Sequence, residues 1–115
     1  MLFKNYKKSD IKYIALAYAI EINEKVFKHT IDLDFVDFEI IKDKRVFAWC
    51  DGYTIELSTC HIKTFQHLFE TVAHELIHIW QFQNARKMNH KKKFKKWVIQ
   101  LRSVYPFIES ESEIL

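Results

Sequence analysis

Apolar residues recur at helical spacing near the start of the chain. Ile11, Ile14, Tyr18, Ile22 and Val26 fall on one side of a helix that Ser9 can cap, predicted from about Asp10 to Lys28. The period then changes. Residues 31–41, IDLDFVDFEII, alternate apolar and acidic positions with one slip at Phe35-Val36. The runs RVFAWC and YTIELS follow, flanking Asp51-Gly52, a strong hairpin signal. Together these segments predict a small, mainly antiparallel sheet of three strands.

From Thr64 the helical period returns. Thr64 is a candidate cap, and no helix breaker occurs in TFQHLFETVAHELIHIWQFQN, so one long helix is expected. At about 100° per residue, Phe65, Phe69, Val72, Leu76 and Ile79 form its apolar side, while His67, Thr71, His74 and His78 form a side expected to face something polar. Asn89 can cap a last helix from His90 to about Tyr105, with Phe94, Trp97, Val98, Leu101 and Tyr105 as its buried stripe. Pro106 stops it, and the SESEIL tail is expected to fray. The fold class expected is α+β, with residues 1–115 forming one domain.

Composition narrows the chemistry. With a single Gly among 115 residues, a Walker loop, a GxGxxG nucleotide loop and a GxSxG nucleophile elbow are all excluded. Cys50 and Cys60 are the only cysteines and form no CxxC, which excludes a zinc ribbon and a thioredoxin-type pair; both read as buried small residues. The longest apolar run, Tyr13 to Ile20, is too short to span a bilayer, and the start of the chain lacks a signal-peptide pattern. A cytoplasmic protein without membrane contact is the expectation. Charge is unevenly distributed: residues 1–85 carry 10 Lys/Arg against 12 Asp/Glu, residues 86–115 carry 8 against 3.

His74-Glu75-Leu76-Ile77-His78 is an HExxH motif inside the long helix. Residues i and i+4 lie about 6 Å apart along a helix axis and about 40° apart around it, so two imidazoles can converge on one zinc ion. Glu75 is then placed to serve as general base for a water whose pKa the zinc lowers. Chance supplies this motif in only about 2% of chains of this composition. A catalytic zinc takes three protein ligands. The metzincin spacing would put the third at Asn84, which excludes that class, and the carboxylates of Glu109, Glu111 and Glu113 lie in the tail. His67 is about 10 Å along the axis from His74, too far for an easy common ion. His90, just past an expected reversal at residues 86–89, is the best placed.

HELIH followed by His90-Lys91-Lys92-Lys93-Phe94 resembles the SprT-like (Spartan-type) zinc metalloprotease domain, in which an HGxxF element after HExxH supplies the third histidine. AWCDGYTIELS also resembles the strand pair before that family's active-site helix, so the similarity covers about residues 45–101. The resemblance implies a zincin-like arrangement, zinc held by His74, His78 and His90, Glu75 as catalytic base, and a protein substrate. Lys91 stands where the family usually has Gly, and the form expected from the resemblance is a minimal one without the C-terminal zinc ribbon of cellular members.

Arg86, Lys87, Lys91, Lys92, Lys93, Lys95 and Lys96 form a basic run with no acidic residue among them, suited to phosphate contact, and Trp80 or Trp97 can offer a stacking surface. The resemblance adds DNA contact as a means of selecting substrate. His29, His61 and His67 read as surface or capping residues. Glu70, one turn before His74, can accept that imidazole's second N–H. The reading is a zinc-dependent endopeptidase acting on proteins at or near nucleic acid. Its main rival is a non-catalytic zinc-stabilised module that binds nucleic acid or protein; a zinc hydrolase of another bond is a third. Tyr53 and Tyr105 are the available oxyanion-stabilising side chains.

Overall fold

The computed structural model describes residues 6–108. Helix α1 spans Lys8–Lys25, strand β1 Asp37–Ile41, β2 Ala48–Cys50, β3 Thr54–Ser58, helix α2 Phe65–Gln83 and helix α3 Lys92–Val104. Glu109, Glu111, Glu113 and the SESEIL tail lie outside the described residues. Helix α1 packs on α2 and β1, while α2 also packs on β2 and α3, around one hydrophobic core.

Helix α1 starts two residues before the expected point because Asp10, rather than Ser9, closes it. The Asp10 carboxylate accepts the Lys7 N–H at 3.3 Å. It ends three residues early, since Lys28 and His29 take left-handed φ values of 53° and 63°. Buried Asn23 then ties down the returning chain. Its amide donates to the Ile31 carbonyl at 2.9 Å and accepts the Ile31 N–H at 3.1 Å. The contact stripe is Ile11, Ala15, Ala19 and Ile22; the two alanines let the helix backbone come close, and Ile14 and Tyr18 sit at its margin.

The sheet corrects the mainly antiparallel expectation. Its order is β1-β3-β2, with β1 parallel to β3 and β2 antiparallel to β3. Alternation tells which face each side chain takes, but not which strand lies alongside. The hairpin pairs β2 with β3 as expected. The loop 42–47 then carries the chain from β1 over the end of β3 to the opposite edge. Buried Ser58 holds this crossing: its hydroxyl donates to the Asp43 carbonyl at 2.6 Å and accepts the Asp43 N–H at 3.1 Å, while its own N–H donates to the Phe47 carbonyl at 2.8 Å. The slip at Phe35-Val36 is a 3-10 turn, Leu33–Phe35, that precedes β1.

At the hairpin tip the Asp51 carboxylate accepts the N–H groups of Tyr53 and Thr54 at 2.9 and 2.8 Å. Gly52 is buried at φ 101°, and a Cβ there would stand 2.5 Å from carbons of the Phe82 ring. The turn thereby locks β2 against the end of α2. Gly52→Ala combines an unfavourable φ with a clash, each costing about 1 kcal/mol or more. Urea unfolding should show a lower midpoint at unchanged m, by about 2–4 kcal/mol; a wild-type midpoint would contradict this packing.

Candidate metal centre

Thr64 caps α2 as expected, its hydroxyl accepting the His67 N–H at 3.1 Å. The helix is buried on nearly every side, including the side that carries the histidines. Toward one side the histidines have polar neighbours, His67, Glu70, Thr71 and Glu75, and toward α3 they meet an apolar wall. Phe94 of α3 is buried there, with its ring centroid 4.9, 5.1 and 4.7 Å from those of His74, His78 and His90. The same residue therefore docks α3 and walls the histidine cluster with hydrocarbon.

The chain reverses immediately after α2, two residues earlier than expected. Asn84 ends the helix, Ala85 adopts φ 56°, and the Arg86 N–H returns to the Gln81 carbonyl at 2.8 Å. This is a Schellman closure with alanine where glycine is usual. The Asn89 side chain accepts the Lys91 N–H at 3.0 Å, which forms a turn rather than a helix cap, and α3 begins at Lys92 instead of His90. His90 is thus left on the incoming loop, directed at α2.

The result is a convergence of three imidazoles. His90 Nε2 lies 3.1 Å from His78 Nε2 and 3.2 Å from His74 Nε2, and the three residues form a group able to hold a metal ion. Two nitrogens bound at about 2.0–2.1 Å to one tetrahedral zinc stand about 3.3–3.4 Å apart, so the spacing fits. Donor chemistry fits as well. The Asn89 carbonyl only accepts, so the Gln81 amide nitrogen faces it at 3.0 Å and the amide oxygen faces His78 Nδ1 at 2.9 Å. His78 must then carry its proton on Nδ1 and present a lone pair at Nε2. Burial holds the His78 imidazole below its ordinary pKa, against the Gln81 hydrogen bond and with help from nearby His90, which keeps it in the neutral form a metal needs.

Gln81 was not singled out by the sequence, where it reads as one polar residue among several near the end of a helix. Its spacing of three from His78 is the signal that could have found it. Only 1% exposed, it joins one imidazole to the loop that presents another. Gln81→Leu should weaken zinc binding by about 10–100-fold in competition with a chelator of known affinity. Unchanged affinity would remove the role given to this amide.

Glu75 is buried at 6% exposure, with Oε1 3.8 Å from His74 Nε2. Burial pushes its carboxyl up to about 7. It borders a cleft of about 240 Å³ whose walls include Phe47 and Ala48 from the β2 side, Glu70, Thr71 and His74 from α2, and His90. Glu70 is buried in that wall one turn before His74. His67 also lines the cleft but stands outside the three-histidine group. His61 binds the Lys44 carbonyl at 2.7 Å and stacks on Phe47, and His29 is exposed at the end of α1. Tyr53 packs on Phe82 and Tyr105 donates to Glu21 at 3.0 Å, so neither borders the cleft. Cys50 and Cys60 are free and only half-buried. Burial, reinforced by the charges of Glu75 and Asp51, pushes the Cys50 thiol up to about 12, so it stays protonated and inert. All seven residues of the basic run are exposed. No helix among the described residues is long and apolar enough to cross a membrane.

These features define a small α+β fold in which three histidines, two on α2 and one on the loop before α3, form a cluster able to hold a metal ion, open to a cleft beside strand β2. The model of the SprT-like family matches residues 15–113, and the chain belongs to that family, which is associated with metalloprotease activity. Searches of curated proteins and of solved structures give no match.

Proposed function

We infer that this chain is a zinc-dependent endopeptidase acting on proteins at or near nucleic acid. The observation that carries the reading is the buried Glu75 carboxylate beside three converging imidazole nitrogens, at the wall of an open cleft. A centre kept only for structure has no need of a base or of such access. His74, His78 and His90 would hold the zinc, which supplies Lewis-acid activation of water and of the scissile carbonyl. Glu75 takes the proton of the attacking water and delivers it to the departing amine. Phe94 keeps the rear of the cluster dry, which strengthens charge interactions on the cleft side. Strand β2 pairs only with β3 among the described residues, and Ala48 borders the cleft. An extended substrate can therefore add to its outer edge and lie across the centre. The exposed basic run beside His90 supports selection of proteins held on nucleic acid.

Zinc removal tests the reading. With an unstructured protein as substrate, and an oligonucleotide present or absent, cleavage should stop on chelation and return when zinc is restored. A chain that holds stoichiometric zinc and cleaves nothing under either condition would support the non-catalytic module instead.

A further inference from the structure

The basic run divides between two faces of α3. Lys95 lines a groove of about 450 Å³ beside His90 and Arg102. Lys93 and Lys96 face the other way and line a separate groove of about 380 Å³ with Trp80, Trp97 and Lys28. That second groove lies between α3, the last turns of α2 and the end of α1. Its two indoles are half-buried and meet edge to face, with centroids 5.2 Å apart. Trp97 is fixed from behind by Phe27, at 4.4 Å, and the Arg86 guanidinium lies 5.8 Å from the Trp80 ring centroid. Lys28, Lys93, Lys96 and Arg86 are all exposed, form no ion pair among the described residues, and no carboxylate lines the groove.

We propose that this groove is a binding site for single-stranded nucleic acid, with a base against the indoles and flanking phosphates on the lysines and Arg86. The volume is that of a small-molecule site and so takes one base rather than a duplex. In a duplex the base faces are stacked and out of reach, whereas a single strand offers them to aromatic rings. An acidic peptide would satisfy the cations and leave the indoles without a flat partner. A membrane surface would call for protruding apolar side chains, and these indoles are recessed. The site is independent of the metal centre; it gives the proposed nucleic-acid partner a particular location and strandedness.

The test uses the zinc-loaded chain and a labelled oligo-dT, in a Trp49→Phe background so that fluorescence reports Trp80 and Trp97. Binding at low salt should change the tryptophan signal. Its log–log salt slope should lie between about −2 and −3, at about −0.7 per phosphate for three or four contacts. Lys28→Glu/Lys93→Glu/Lys96→Glu should weaken binding at least about tenfold more than Lys91→Glu/Lys92→Glu/Lys95→Glu, although both triples change the net charge equally. Zinc content and melting temperature, read on the same preparations, show whether a variant has lost its fold or its metal. Equal losses in the two triples, absence of binding, or binding without a tryptophan change would overturn the proposal. A tryptophan response to anionic vesicles with none to oligo-dT would overturn it too. None of those outcomes touches the hydrolase reading, which chelation tests separately.

Discussion

Replacing His90 by alanine is expected to lower zinc affinity by at least about a thousandfold, more than the 10–100-fold that loss of a partner behind a ligand costs. His90 Nε2 is within 3.2 Å of the Nε2 atoms of both other histidines, so its removal leaves two nitrogens on one helix and opens the centre to solvent. The fold should survive. His90 is exposed and precedes α3, whose docking rests on Phe94, Val98 and Leu101. His67→Ala is the matched control, because His67 lies outside the cluster. Competition titration should separate the two variants clearly; equal affinities would place the third ligand elsewhere.

Local structure was legible wherever one residue type has one mechanical use. Thr64 before a long apolar run marked the start of α2, and Asp51-Gly52 marked the hairpin, since a buried turn at φ 101° against Phe82 admits little but glycine. Neighbour relations were not legible. The parallel pairing of β1 with β3 depends on where loop 42–47 travels, and the device that fixes it, Ser58 gripping Asp43 and Phe47, looks in sequence like an ordinary serine near a strand end.

The site followed the same division. The i, i+4 histidines are close by helix geometry alone, and His90 returns to them because the chain closes sharply at Ala85. A left-handed alanine gives no warning in the sequence, so sequence reasoning places the reversal two residues late and makes Asn89 a helix cap. The polar neighbours of the histidines on α2 follow from its periodicity, which says nothing of Phe94 arriving from α3. The division of the lysines between two grooves likewise depends on how α3 is rotated against α2, which its docked apolar stripe decides.

The central claim is that Glu75 works on a water at a zinc held by His74, His78 and His90. Glu75→Gln isolates that step, because the amide nearly matches the carboxylate in shape and fits a site only 6% exposed, yet cannot take the proton. Full zinc occupancy and an unchanged melt are expected, with kcat/KM for protein cleavage lower by about 10²–10⁴-fold or more. The most direct measurement is cleavage of one protein substrate by wild type and Glu75→Gln side by side at equal zinc content. The account predicts cleavage by the wild type and near-complete loss in the variant; equal cleavage by the two would contradict it.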